Sequence, residues 1–219
     1  MLLRLDFEIL ILLLPALVFS LCIHEFSHGI VAYYYGDDTA YKYGRLTLNP
    51  MKHLDPMGTM MLLFIGFGYA KPVPVNTSNL NNPRKDIIKV AAAGPISNFI
   101  LSFVGIFIFT FLNKLNLNTS ATNIFFNYFI IINTWLGLFN LIPVYPLDGG
   151  QIFGNIIVKY NSSIFNQLNY YGPRVLLLVI AISLFTNGKI SIISWIIYKP
   201  AMIIISFFEK ISLILLSVI

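Results

Sequence analysis

Cysteine and charge are both scarce in this sequence. Cys22 is the single cysteine, so an intrachain disulfide is excluded. Charged residues make up 11% of the chain and hydrophobic residues 57%, whereas an average soluble domain has about 25% charged residues. The net charge of +5 comes without a run of lysine or arginine, which argues against a nucleic-acid partner. The composition indicates an integral membrane protein that is embedded in the lipid bilayer.

Apolar runs, by contrast, are abundant, and we distinguish five. They extend approximately over Phe7–Tyr35, Ile87–Leu112, Ile124–Ile142, Pro173–Phe185 and Ile190–Ile219. Gly94-Pro95 is expected to break the second run. Pro200 interrupts the fifth run, which we expect to form either one span with an interfacial tail or two pieces. The fourth is short for a span, which needs about 20 residues. We predict an all-α polytopic membrane protein with about five to six transmembrane helices. It forms a single domain over 1–219, with a catalytic core over about 7–155 and C-terminal helices over about 156–219.

Residues 57–70, "MGTMMLLFIGFGYA", are apolar but too short to span a membrane. Their glycines favour a re-entrant or sheet-like element. In the following "AKPVPVN", prolines two residues apart would leave the N–H groups of Val73 and Val75 on one edge of a strand. The sequence predicts a short membrane-embedded strand that pairs on that edge, with a proline-rich loop as the alternative.

The distribution of basic residues predicts an orientation. Seven lysines and arginines lie between the first and second spans, one (Lys114) follows the second, and Lys159 and Arg174 follow the third. The positive-inside tendency then places the first and third connections in the cytoplasm and the N-terminus outside.

The first span contains "HEFSH", an unusual sequence for hydrocarbon, where an ionisable side chain costs roughly 2.5 kcal/mol or more. His24 and His28 lie one helical turn apart and about 40° apart around the axis, so both can bind one Zn²⁺. Glu25 lies about 100° from His24, beside the metal, where a general base is needed. The alternative is a pair of histidines bonded to neighbouring helices, as in a proton relay.

A hydrolytic zinc site has three protein ligands and one open position. His53 and the carboxylates are the choices for the third ligand. Asp148 differs from the other carboxylates because it follows a proline-broken span, in "GLFNLIPVYPLDGGQIFG". Prolines and glycines permit non-helical backbone at membrane depth, so this bend can bring Asp148 to the histidines on the cytoplasmic side.

Taken together, "HEFSH", "AAAGPISN" and "LDGG" resemble the site-2 protease family of intramembrane zinc metalloproteases. "LTLNPMKHLDPMG" and "GYAKPVPVN" resemble its compact prokaryotic branch, and the resemblance covers about residues 20–155. It implies that His24, His28 and Asp148 hold one zinc ion and that Glu25 is the general base and acid. It also implies cleavage of single-span transmembrane substrates by a multi-pass protein of the cell membrane.

The resemblance also extends to Asn98 and Asn140, whose amides would hold the substrate backbone or the developing oxyanion. An interhelical hydrogen bond is the alternative for each asparagine. His53 is interpreted as a loop histidine bonded to Asp55 or to backbone, or else as a partner of the zinc site. Val73 and Val75 are the candidates for pairing with an unwound substrate.

Two other functions are compatible with a polytopic membrane protein. An ion transporter could use the histidines and Asp148 as a path, although no inverted repeat is visible. A catalytically inactive scaffold that binds membrane segments is the second alternative, although all the expected catalytic residues are present.

Overall fold

The computed structural model describes residues 6–65, 68–186, 189 and 191–217. Helices dominate these residues, which form no strand beyond one isolated bridge between Leu54 and Ala70. In chain order the helices are α1 (Phe7–Tyr34), α2 (Thr39–Lys42), α3 (Pro50–His53), α4 (Pro56–Ile65), α5 (Pro83–Lys114), α6 (Ser120–Asn140), α7 (Asp148–Ile157), α8 (Ser162–Phe185) and α9 (Ile192–Ser217).

Five of these helices, α1, α5, α6, α8 and α9, are long and apolar enough to cross a membrane. Large hydrophobic side chains cover much of their outer surface, as expected where lipid replaces water as the solvent. The predicted multi-pass helical membrane protein is therefore confirmed, with five helices of spanning length in the described part of the chain.

Two predicted helix boundaries were wrong, and a third position, Pro200, was left between one span and two pieces. Gly94-Pro95 does not interrupt α5, which runs through Pro95 as one helix of 32 residues. The fourth span begins at Ser162, before Pro173, because the Asn161 side chain accepts hydrogen bonds from the first backbone N–H groups of α8. α9 likewise continues through Pro200 as one helix. Prolines are tolerated inside membrane helices where neighbouring groups or small local adjustments satisfy the freed backbone carbonyls. The predicted ends of the fifth run, at 190 and 219, lie outside the described residues.

Of the two alternatives predicted for 57–70, the sheet-like element is wrong over the described first part, which forms the ten-residue helix α4. Its apolar residues satisfy their backbone groups within the helix, which removes the need for a strand partner. The re-entrant element stays a prediction. Residues 66–67 lie outside the described part of the chain.

No strand forms at 72–75 either. The N–H of Lys71 donates to His53 O (2.7 Å), and the N–H of Val73 donates to the Glu25 carboxylate (2.8 Å). These groups are therefore bonded to the last residue of α3 and to a side chain on α1, and they are not paired along a neighbouring strand.

The centre of the fold is α5, which contacts α1, α6, α7 and α9. Buried polar side chains line the contacts between α1, α5 and α6: Ser20, His24, Asn98, Ser102, Asn133 and Thr134. Buried polar groups need hydrogen-bond partners in a membrane. These three helices therefore enclose a connected polar interior, in which the candidate site lies.

Candidate metal centre

Three potential ligand atoms converge between α1 and the start of α7. His24 Nε2 and His28 Nε2 are 3.1 Å apart, because the two residues are one turn apart on α1. Asp148 Oδ2 lies 3.2 Å from His24 Nε2 and 3.4 Å from His28 Nε2. His24, His28 and Asp148 form a group that could hold a metal ion in the described part of the chain.

These separations lie within about 0.2 Å of those around a tetrahedral zinc ion. Zinc bonds to histidine nitrogen and carboxylate oxygen are about 2.0–2.2 Å, and a tetrahedron with such bonds separates its ligand atoms by roughly 3.3–3.6 Å. Asp148 Oδ2 is buried and has no hydrogen-bond partner. A buried carboxylate oxygen without a partner is costly unless a cation neutralises it. The donor set therefore suits a divalent cation.

Hydrogen bonds on the far side of each imidazole support the same conclusion. His28 Nδ1 lies 2.7 Å from Val90 O, a carbonyl that can only accept, so Nδ1 carries the proton. His24 Nδ1 lies 2.6 Å from Asn98 Oδ1. Neutral imidazoles bonded in this way direct the lone pair of Nε2 towards Asp148, and a metal-binding histidine needs this tautomer.

The backbone of α5 approaches the ligand atoms at Gly94. A Cβ atom placed there would lie 2.4 Å from His28 Nε2 and 2.6 Å from His24 Nε2. Only glycine leaves room for the two imidazoles against this helix.

A sharp turn delivers Asp148 to the site. Residues 141–147 fold back before α7, and Asp148 is the first residue of that helix. A Cβ atom at Gly149 would lie 2.3 Å from Leu141 O, so the turn packs directly against the helix start. The glycines of "LDGG" thus hold the Asp148 carboxylate at a fixed distance from α1.

Glu25 directly follows His24 on α1 and is half-buried. Its Oε2 accepts the hydrogen bond from Val73 N–H. Arg45 fixes the same loop from the other side, because its Nη2 donates to Lys71 O (2.7 Å) and to Pro72 O (3.3 Å). The 71–73 segment therefore connects a buried arginine to the Glu25 carboxylate.

Two of the predicted residues make local contacts. Asn140 Nδ2 donates to Leu136 O (3.0 Å) within its own helix. His53 is fully buried, and its Nε2 lies 2.6 Å from Thr47 O. His53 is thus bonded to backbone, as one of the two interpretations expected, and Asp148 is the residue that joins the two histidines.

The sequence analysis did not identify Asn133, which is fully buried on α6 and contacts Asn98. The available signal was its polar side chain within the third apolar run, since such residues are rare in spans and need partners. Gly94 was noted only as a helix breaker, although its closeness to the imidazoles is its structural contribution.

The sequence profile described as "Peptidase family M50" matches residues 12–123 and 115–180. This chain belongs to peptidase family M50, the site-2 protease family. The M50 protein is accordingly a metalloendopeptidase.

Several curated proteins are similar to this M50 chain. The "Putative zinc metalloprotease YwhC" of Bacillus subtilis is 42% identical over 172 residues, which are 76% of this chain and 78% of the relative. The "Putative zinc metalloprotease Rip2" of Mycolicibacterium smegmatis is 34% identical over a stretch that covers 43% of this chain and 38% of the relative. The "Zinc metalloprotease MJ0392" of Methanocaldococcus jannaschii is 26% identical over a stretch that covers 64% of this chain and 32% of the relative. No solved structure matches significantly.

Proposed function

We propose that this M50 protein is an intramembrane zinc metalloprotease that cleaves single-span membrane proteins within or near their transmembrane segments. One observation carries the proposal: three ligand atoms converge within 3.1–3.4 Å of one another, two from the spanning helix α1 and one from the start of α7. Glu25 directly follows one of the ligands, His24, on α1. The names of the relatives support zinc as the metal. Hydrolysis of peptide bonds inside the membrane would explain why such costly polar residues lie within a membrane span.

His24, His28 and Asp148 are the proposed ligands of one zinc ion per chain, and a zinc site with three protein ligands would leave room for a water molecule. Zinc in such a site supplies a Lewis acid that acidifies water and polarises a carbonyl. The buried surroundings strengthen these electrostatic effects, because they exclude bulk water.

Glu25 is the proposed general base and acid. Its carboxylate accepts a proton from the attacking water as the new C–O bond forms, and it passes that proton to the leaving amine nitrogen when the C–N bond breaks. Val73 N–H holds Oε2 of this carboxylate. A carboxylate with one oxygen held by the backbone has fewer orientations to lose before it reacts.

Asn98 and Asn140 have different proposed roles. Asn98 is fully buried and bonds His24, so we assign it the positioning of that imidazole. Asn140, which is partly buried near the turn before Asp148, remains our candidate for binding the substrate backbone or the oxyanion.

The substrate helix must unwind locally before hydrolysis, because its amides are hydrogen-bonded along the helix. Glycine or proline in the substrate segment lowers the cost of unwinding. Val75 N–H is our candidate for pairing with the unwound segment, whereas Val73 N–H is bonded to Glu25 in this structure. If Val75→Pro left cleavage unchanged, pairing at this position would be wrong.

The proposed setting is the cell membrane, with the metal centre towards the cytoplasm. The basic residues of the first connection support this orientation by the positive-inside tendency.

The deciding experiment measures zinc per chain and cleavage on detergent-purified protein. The substrate is a synthetic single-span peptide with glycine and proline in its span. We expect about one zinc ion per chain in the wild type and in Glu25→Gln, and much less in Asp148→Ala. Asp38→Ala is the control, since that carboxylate lies at the surface and pairs with Lys42. Only the wild type and the control should cleave the peptide.

The other outcomes lead to different conclusions. If the wild-type protein takes up no zinc, the proposed zinc-dependent proteolysis would be refuted. The remaining alternative would be the scaffold that binds membrane segments. Zinc binding without any effect of Glu25→Gln on cleavage would refute the assigned base. Equal zinc in the wild type and in Asp148→Ala would refute the third ligand.

A further inference from the structure

A chain of buried amides leads from His24 to the backbone of α6. His24 Nδ1 lies 2.6 Å from Asn98 Oδ1, and Asn98 Nδ2 donates to Asn133 Oδ1 (3.0 Å). Asn133 Nδ2 in turn donates to Phe129 O (2.8 Å). Asn98 and Asn133 are both fully buried, on α5 and α6. The chain therefore crosses two helix interfaces without access to solvent.

The last group fixes the direction of every bond in this chain. Phe129 O can only accept, so the amide nitrogen of Asn133 must face it and the Asn133 oxygen must face Asn98. Asn98 then presents its nitrogen to Asn133 and its oxygen to His24. An oxygen acceptor requires the proton on His24 Nδ1, which leaves the lone pair of Nε2 for the metal centre.

The two histidines are consequently oriented by different means. His28 Nδ1 is bonded directly to Val90 O. This acceptor is a backbone carbonyl, which no side-chain substitution removes. His24 depends on the Asn98 amide, which could rotate by 180° and present its nitrogen to the imidazole. That rotation would place the proton on the wrong nitrogen for metal binding. Asn98 Nδ2 also approaches Ser20 O, but at a long 3.4 Å, so Asn133 is its closer partner.

We propose that Asn133 is a positioning residue of the metal centre, which fixes the Asn98 amide and thereby keeps the lone pair of His24 Nε2 directed at the metal. This inference rests on the proposed function, because it requires His24 to be a zinc ligand. Asn133 does not touch the ligand atoms, and its effect passes through Asn98. Partners of this kind typically contribute 10- to 100-fold to metal affinity.

The test compares two substitutions of the same shape. Asn133→Val removes the polar group, whereas Asn133→Thr has a hydroxyl that can donate to Phe129 O and accept from Asn98. Thr134, the next residue on α6, forms such a bond to Ile130 O (2.9 Å). Thr134→Val is the matched control, because Thr134 is equally buried and bonds Ser102 across the same α5–α6 interface.

The measured quantity is the zinc dissociation constant, from competition with a chelator, on folded protein selected by size-exclusion chromatography. We expect Asn133→Val to weaken zinc binding about tenfold or more, Asn133→Thr to recover part of the loss, and Thr134→Val to bind within about twofold of the wild type. The absorption spectrum of the Co²⁺-loaded protein should change in Asn133→Val and not in Thr134→Val. Wild-type affinity in Asn133→Val, or an equal loss in Thr134→Val, would overturn the proposal.

A double-mutant cycle tests the route through Asn98. In the Asn98→Ala background, Asn133→Val should have little further effect on the zinc dissociation constant, since the intermediate amide is gone. Full additivity of the two substitutions would show that Asn133 acts by another route and would overturn the proposal. Failure of the proposed function is distinguishable, because the wild type itself would then bind no zinc.

Discussion

The backbone N–H of Val73 donates to the Glu25 carboxylate, with 2.8 Å between the nitrogen and Oε2. This bond joins the loop after α4 to the helix that carries the two histidines. Arg45 holds the same loop through the carbonyls of Lys71 and Pro72. The orientation of the proposed base therefore depends on a backbone group, which can be removed without changing any residue of the metal centre.

Val73→Pro should lower the turnover number at least about tenfold while zinc content stays unchanged, because proline has no N–H to hold Glu25. The measurement is kcat and zinc per chain. Val73→Ala is the control, because it shortens the buried side chain and retains the N–H. An equal loss of turnover in both variants would assign the effect to packing.

Gly94→Ala should disrupt the metal centre. The added methyl would lie 2.4 Å from His28 Nε2, so the imidazole or the helix must shift by about 1 Å to reach ordinary contact. Because zinc bonds are short and directional, zinc affinity should fall more than about tenfold.

The control for this prediction is Gly105→Ala on the same helix, where the methyl would meet the Phe129 ring at 2.9 Å. That substitution should lower stability without changing zinc affinity. If both variants bound zinc like the wild type, the close approach of α5 to the imidazoles would be wrong.

The convergence of His24, His28 and Asp148 could be predicted from the sequence because its physical signal is strong. Ionisable residues are so costly in an apolar span that His24, Glu25 and His28 needed a chemical explanation. The proline- and glycine-rich bend that ends the third apolar run made Asp148 a candidate alongside His53, and the family resemblance implied Asp148 as the third ligand.

The remaining features depend on tertiary contacts. Pro95 reads locally as a helix breaker, yet it is buried inside a continuous α5. The strand expected at Val73 was wrong because a side chain on α1 takes up its N–H. Asn133 is 35 residues from Asn98 in sequence, and nothing local relates them. Periodicity describes one helix at a time, so it cannot indicate which amides meet between helices.

Asp37 should make stability dependent on pH. It lies in the turn after α1, fully buried, and it accepts hydrogen bonds from the hydroxyl and N–H of Thr39, from Asn76 N–H and from the Asn79 amide. Burial alone would raise the pKa of this carboxyl, but the hydrogen bonds outweigh it and lower the pKa below its ordinary value. The charged form is therefore favoured in the folded state.

A lowered folded-state pKa means that the stabilisation is fully present above the unfolded pKa of about 3.9 and is lost as the pH falls through the folded value. Asp37→Asn should lower the free energy of unfolding by about 1–3 kcal/mol at pH 7, because an amide nitrogen would face donors. The difference in melting temperature from the wild type should shrink below about pH 4. Asp38→Asn, an exposed control paired with Lys42, should have little effect at either pH. A pH-independent difference for Asp37→Asn would contradict the assigned charge.

The proposed orientation can be tested by labelling, because Cys22 is the single cysteine of the chain. In a Cys22→Ala background, Tyr41→Cys lies in the first connection and Leu117→Cys in the second, where the native side chains are 63% and 59% exposed. A membrane-impermeant maleimide should label Leu117→Cys in intact cells and Tyr41→Cys only after permeabilisation, since the basic first connection should remain in the cytoplasm. The Cys22→Ala protein without a new cysteine gives the background signal. The reverse labelling pattern would place the metal centre towards the outside, and the cytoplasmic orientation would then be wrong.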